Sequence, residues 1–525
     1  MTVPTTSLGE IFSRANDGVV DLETYLAGDA AMALTHADLQ EYIATHGREV
    51  LRTLLQDQLD LRALRETRRD GVVDAEGTPH ISVESDHTRP LTTIVGDVQV
   101  TRKAYRKKGH ANLYPADADL NLPREQHSHG LRKLAALEAT RGSYDDAAAA
   151  IWATGQDVGK RQVEELVQRA AVDFDAFYTE ASPPPASAED VLVLSVDGKG
   201  IVMRPEALRP ATAKAAARPK LAIRVSPGEK RDRKRMAEVG AVYDATPVVR
   251  KPEDIVKIKT SQNVSPKETA KSAQTNSTET TETTASAVAA SPATAPVARG
   301  KWVTASVVED VASVVSEVFD EAERRDPEHA RPCLALVDGN NDQIQQIEAQ
   351  AQARSITVMI LIDCIHGFGY VWLAAWCFFA AGDPEARIWV QEQVLAILQG
   401  KASLVAAAMR RKATMLGLDA DQRKGVDKCA KYLLNKQAYL DYPTALARGW
   451  PIATGIIEGA CRHLVKDRMD LTGARWGLQG AESVLKLRAL VSNGDFYTYW
   501  AYHLAQEQTR VHSTRYTHHG TPRAA

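Results

Sequence analysis

Two stretches constrain this chain more than any others: VLVLSVD (191–197) and LALVD (334–338). Each is apolar at consecutive rather than alternate positions, and each ends in an aspartate followed by glycine. A strand apolar on both sides must be covered on both sides, so these runs belong inside a sheet packed beneath helices. The surrounding order supplies the helices. GIVMR follows Gly198-Lys199-Gly200, which reads as a tight hairpin, and Met236–Val249 reads as a third strand. Residues 303–325 read as an amphipathic helix, PCLALVDG as a strand, NDQIQQIEAQAQAR as a helix and SITVMILID as a strand. The sequence thus predicts the element order β-β-β-α-β-α-β, an α+β and α/β arrangement.

On the first and fourth of these strands stand Asp197 and Asp338. Two acids side by side at a sheet edge repel unless a cation lies between them; acids also end strands simply as turn formers. A third carboxylate is expected from a later helix. Glu458 is the candidate, because helical spacing sets Glu458, Arg462 and Lys466 on one face. The plain alternative is a surface ion pair at i, i+4, and Glu482 and Asp470 are weaker candidates. Three carboxylates suit two Mg²⁺ or Mn²⁺ ions, which assist in-line phosphoryl transfer without an obligatory histidine base.

Charge distribution points to a polyanion where net charge does not. The whole chain carries −3. Residues 199–235, opening with Lys199, hold twelve basic residues against three acids, and residues 401–436 hold nine against three. Arg102, Lys103, Arg106, Lys107 and Lys108 form a third cluster without an acid among them. Such clusters are either solvated faces or phosphate footprints. In the N-terminal third, helices are expected to about Arg69, then two strands with Gly96-Asp97 as their turn. Next come a helix from Leu131, a helix capped by Ser143, a break at Gly155 and one continuous helix over 159–178. Helix, glycine turn, helix is the helix-turn-helix pattern, and also that of an ordinary helical hairpin. Lys160, Arg161 and Gln162 open its second helix, where DNA contacts would fall.

The strings SVDGKGIVMRPEALRP, RKRMAEVGAVYDATPV, LALVDGNND and GIIEGACRHLVKDRMDLTGARW resemble the DDE transposases of bacterial insertion sequences, specifically the ISKra-type family. The resemblance runs from about Gly96 to Leu490. It implies an RNase H-like catalytic core that binds two metal ions through Asp197, Asp338 and Glu458. The 119 residues between Asp338 and Glu458 exceed what such a core needs and imply a helical insertion. Asp363-Cys364-Ile365-His366 resembles a Cys/Asp-x-x-His signature after the fifth strand, which makes His366 either a helper at the phosphate or a core histidine. Arg468 and Arg475 are candidate phosphate ligands, and Trp476 either stacks on an unpaired base or belongs to the core. Implied partners are double-stranded DNA, at element ends and target, and a second copy of the chain for synapsis. A DNA-binding protein without catalysis and another RNase H-like nuclease are the alternatives.

The expected division is a helical region at 1–75 and a β-hairpin with helix-turn-helix at 76–181. A catalytic domain follows from 190–366 and 451–495, with a Ser/Thr/Ala-rich disordered insertion at 260–298. A helical insertion covers 367–450, and 496–525 form a tail. Five cysteines without metal-finger spacing read as reduced thiols in a bacterial cytoplasm. The most apolar stretch, Phe368–Ala381, is too short to span a bilayer.

Overall fold

The computed structural model describes residues 11–182, 187–216, 233–256, 295–453, 455–471 and 473–517. Helix accounts for about 56% and the large sheet is mixed, so the fold is α+β. The chain divides into two compact units, one of residues 1–181 with 479–525 and one of 182–478. That division returns the C-terminus to the N-terminal unit, where the sequence had suggested a tail and a share of the catalytic domain.

In the first unit, α1 (Ser13–Leu26) lies along α2 (His36–Arg65), with Arg14 bonded to Asp57 and the Tyr25 and Tyr42 rings stacked at 3.9 Å. β1 (Ser82–Thr93) and β2 (Gly96–Arg106) pair antiparallel, and Thr93 faces Gly96. The turn is therefore Ile94-Val95, not Gly96-Asp97. Gly96 serves a close approach instead: a Cβ there would lie 2.5 Å from the Arg52 side chain on α2, and its φ is +144°. Leu59, Leu91, Val98, Val100 and Leu122 make the core between α2 and this hairpin.

Next come α3 (His129–Arg141), α4 (Tyr144–Trp152), α5 (Lys160–Ala170) and α6 (Phe174–Glu180). Ser143 caps α4 reciprocally with Asp146 as expected. The continuous helix expected over 159–178 is two helices, broken before Phe174. There Asp173 is held by His503 at 2.6 Å and Arg510 at 2.6 Å, and its N–H by the Tyr499 hydroxyl. These partners lie on or beside α16 (Phe496–Glu507), which follows α15 (Leu478–Asn493). Arg132, fully buried on α3, donates to Glu507, Glu125 and His503 Nε2. A buried charge left without these partners would cost several kcal/mol, about 3–5. The C-terminal segment is thus part of this unit's interior.

The second unit is built on the sheet β5-β4-β3-β6-β7. Its strands are β3 (Val191–Val202), β4 (Lys234–Thr246), β5 (Val297–Ser306), β6 (Cys333–Val337) and β7 (Val358–Ile362). β3, β4 and β5 pair antiparallel, whereas β6 and β7 run parallel to β3. Two expectations change here. No hairpin forms at 198–200, because β3 continues against β4 to Val202. A Cβ on Gly200 would meet the Lys234 side chain at 2.9 Å and one on Gly198 would meet Met236 at 3.0 Å, so these glycines permit close packing rather than a turn. The third strand is β5, which takes residues 303–306 from the expected helix and residues 297–298 from the expected disordered insertion. Residues 260–294 of that insertion lie outside the described residues.

Helix α7 (Val311–Arg325) starts at the Asp310 cap and α8 (Asn341–Arg354) at the Asn340 cap. α7 presses on the sheet so closely that a Cβ on Gly240 would reach Val318 at 2.5 Å. After β7 come α9 (Cys364–Ala375), α10 (Pro384–Leu398), α11 (Ala402–Met415), α12 (Lys424–Asn435) and α13 (Tyr442–Ala447), so residues 367–450 are helical as expected. α14 (Gly455–Ala460) runs into a π-helical turn, Cys461–Lys466. No described helix is long and apolar enough to cross a membrane.

Candidate functional site

Strand β3 is buried at every position from Val191 to Val196, and Asp197 is the first residue to reach partial exposure. The parallel register pairs Ser195 with Leu336 and Val337 with Ile362. Two residues beyond the first pair are Asp197 and Asp338, and one residue beyond the second are Asp338 and Asp363. By this register three aspartates stand level across the sheet, Asp197 midway along β3 and Asp338 and Asp363 just past the C-terminal ends of β6 and β7. Asp197 is not a strand terminus as expected; it emerges where β6 has ended and left one side of β3 open.

Each aspartate is held differently. Asp197 Oδ1 accepts from the Gly198 N–H at 2.7 Å, and Oδ2 accepts from the Cys461 thiol at 3.3 Å. Asp338 Oδ1 accepts from the Asn340 N–H at 2.8 Å, which tightens the turn at Gly339, where φ is +95°. Buried Asp363 caps α9, accepting from the N–H groups of Ile365 at 2.7 Å and His366 at 3.3 Å.

Electrostatics ties the later helix to these strand ends. Partial burial and the charges of Asp363 and Asp197 push the Glu458 carboxyl above its usual range, while His366 opposes them. On β4, opposite Gly198, Glu238 is pushed up by burial and then by Asp197. The site is thus a pool of like charge. Burial and then Asp197 likewise push the Cys461 thiol up. All donors are carboxylate oxygens, the set that suits Mg²⁺ or Mn²⁺. Asp197, Asp338 and Glu458 are not drawn to ligating distance, however. Among the described residues, the one set of three His, Cys, Asp or Glu groups within 4.8 Å of one another is Asp74, His80 and His110.

The expected basic neighbours divide by burial. Lys199, Arg462, Lys466 and Arg475 are exposed. The stripe expected of Glu458, Arg462 and Lys466 is broken, because the π turn bonds at i, i+5 and changes the helical phase. Arg462 approaches Asp467 at 3.7 Å instead of Glu458. Arg468 and Trp476 are buried, the guanidinium 4.6 Å over the indole ring, whose N–H donates to the Met469 carbonyl. Backbone bonds from Trp476 to Val202 and from Arg204 to Trp476 fix that ring beside the end of β3. Neither side chain faces solvent, so base stacking by Trp476 and phosphate binding by Arg468 are set aside. In the first unit, Lys160, Arg161 and Gln162 are exposed at the start of α5; Lys160 pairs with Asp145 and Arg161 with Glu165.

Some of the basic clusters serve the fold. Arg102 is buried against Asp117 at 2.8 Å, Arg235 donates to the carbonyls of Val307, Val308 and Ala207, and Lys436 donates to Asn341. Residues 217–232 of the first cluster lie outside the described residues.

Sequence reasoning left Asp363 and Glu238 out of the site. Asp363 carried the same signal as Asp338, an acid closing an apolar strand; Glu238 carried none, because only register sets it opposite Gly198. Also missed was the wall made by α9 and α12. His366 is exposed and lies edge-on to Tyr370 at 5.8 Å, the Tyr370 and Tyr432 rings stack at 3.9 Å, and the Tyr432 hydroxyl donates to the Asp338 carbonyl at 3.4 Å. Lys428 stands 5.5 Å from the Tyr370 ring. Compared with known proteins, the chain matches no family model and no curated protein at a significant level.

Proposed function

We propose that this chain is a metal-dependent polynucleotidyl transferase with an RNase H-like catalytic domain. More particularly, it is a DDE transposase that cuts and joins the DNA ends of its own element. The observation carrying this reading is the level row of Asp197, Asp338 and Asp363 on three adjacent parallel strands, with Glu458 electrostatically coupled to it. The strand order β5-β4-β3-β6-β7 supports it, because it makes the first and fourth strands neighbours.

Asp197, Asp338 and Glu458 would hold two Mg²⁺ or Mn²⁺ ions, which supply charge stabilisation for an in-line displacement at phosphorus. The chain's own groups position the rest. Asp363 fixes the first turn of α9 and so the backbone at His366, an exposed side chain available to a phosphate oxygen. The Tyr432 hydroxyl holds the Asp338 backbone in place. Exposed Lys199, Arg462, Lys466 and Arg475 offer charge to the DNA backbone. Exposed Lys160, Arg161 and Gln162, in a helix-turn-helix of the first unit, hold the terminal repeats. Synapsis of two ends requires a dimer or larger assembly on DNA.

The test is excision and integration in cells from a donor plasmid carrying the gene with its native flanks. Movement with wild type and none with Asp338→Asn supports the reading. No movement with either, while the flanks are still bound in a gel-shift assay, supports a DNA-binding protein without catalysis.

A further inference from the structure

Asp74, His80 and His110 meet in the first unit, remote in sequence from the carboxylate row. Asp74 opens a tight loop: its N–H donates to the Thr78 carbonyl, Gly77 N–H returns to the Asp74 carbonyl, and Gly77 has φ +84°. Asp74 Oδ1 accepts the N–H groups of Glu76 at 3.0 Å and Thr78 at 2.8 Å. Oδ2 is thereby aimed at His80 Nε2, 3.2 Å away, and His110 Nδ1, 3.1 Å away. His110 comes from the turn after β2, where Gly109 has φ +86° and the His110 N–H donates to the Lys107 carbonyl.

His80 is the informative member. It is 2% exposed, and its Nδ1 lies 3.1 Å from the Tyr105 carbonyl. A carbonyl only accepts, so Nδ1 carries the proton. In the neutral ring Nε2 is then a bare lone pair facing a carboxylate oxygen. A cation between them turns that opposition into two bonds. Backbone fixation of the remote ring nitrogen is the outer-shell arrangement that metal-ligating histidines use.

The spacing also fits. With bonds of roughly 2.0–2.1 Å, the edge of a tetrahedron around zinc is about 3.3 Å, close to the 3.1 and 3.2 Å found here. Glu76 offers a fourth donor, with Oε2 4.0 Å from His110 Nδ1 and a side chain 80% exposed and free to swing inward. Two imidazoles and two carboxylates suit a borderline ion rather than Mg²⁺. Beneath the loops lies a small cluster of Val72, Tyr105, Leu113 and Tyr516, and Asp74 itself bridges to Tyr516. So small a core gains most from a staple that joins two separate chain segments.

We propose that Asp74, His80, His110 and Glu76 form a structural Zn²⁺ site that fastens the 74–80 loop to the turn after β2. It is independent of the proposed DNA chemistry. An occupied site fixes the Lys107–His110 turn and with it Lys107 and Lys108, two exposed members of a basic cluster.

The test uses the full chain carrying Asp197→Asn and Asp338→Asn, so that the carboxylate row does not report. The chelator-stripped protein is titrated with Co²⁺ and then with Zn²⁺. One equivalent of Co²⁺ with the visible absorption of tetrahedral coordination, bleached by Zn²⁺, is expected. His110→Ala should abolish the band and Glu76→Ala should weaken affinity at least tenfold. Both side chains lie outside the apolar cluster, and circular dichroism checks their folding. Zn²⁺ should raise Tm in the parent and not in His110→Ala. Absence of the tetrahedral band, or an unchanged band in His110→Ala, overturns the proposal and leaves a proton-bridged His–Asp–His cluster.

Discussion

The two polar clusters of this protein are built in opposite ways. The carboxylate row of the second unit stands on three adjacent parallel strands, each acid brought level by sheet register. The His–Asp–His cluster of the first unit stands on two glycine turns whose side chains are up to 36 residues apart. In the row, burial and then neighbouring like charges push Glu458 and Glu238 upward. In the cluster, one carboxylate oxygen already sits between two imidazoles at bonding distance. The first sets acids of like charge near one another; the second brings its three side chains within hydrogen-bonding distance. A rigid sheet can hold repelling groups at a fixed separation. A loop pair cannot, and its polar side chains must satisfy one another.

The sharpest way to break this comparison is at the row. Asp338→Asn should lower DNA cleavage by more than about 10²–10³-fold, the scale of losing one charge-stabilising group, while gel-shift affinity for the flanking DNA stays unchanged. Next in size is Trp476→Ala. As a core ring pinned to the end of β3 it should cost about 3–5 kcal/mol of stability, read by denaturant unfolding. A base-stacking residue on the surface would leave stability intact.

A smaller effect tests the charge pool. Glu458 holds its proton more tightly folded than unfolded, so metal-free stability should fall as pH rises through its titration. Glu458→Gln should flatten that slope and raise metal-free stability by less than about 1 kcal/mol, the limit for an exposed charge. The same substitution should abolish cleavage, which separates the ligand role from the stability role. Smallest is Arg161→Ala, at a side chain 92% exposed. It should change stability by less than about 0.5 kcal/mol yet reduce the salt dependence of end binding by about one in log–log slope.

How much of this could be read from the sequence follows the same division. Asp197 and Asp338 were legible because a buried strand leaves an unbroken apolar run and the acid interrupts it. Asp363 was equally visible at the end of SITVMILID. Gly198 and Gly200 misled, because glycine marks both turns and close strand approach, and only the side chains of Met236 and Lys234 across the sheet distinguish them. The π turn after Glu458 was illegible, since a regular helix and a wider one share the same apolar spacing over six residues. The C-terminal segment read as a tail because the partners that bury His503 and Glu507 lie more than three hundred residues earlier. The His–Asp–His cluster gave no sequence signal for the same reason: its spacing is set by loops, not by a repeat.

The most direct test of the central claim is cleavage in vitro. Purified protein is incubated with a fragment spanning the gene's own flanks, with Mg²⁺ or with chelator, and the ends are mapped. Cuts at defined positions that need Mg²⁺, leave a free 3′-OH and vanish in Asp197→Asn would bear the account out. Cuts that persist with chelator or in Asp197→Asn would contradict it.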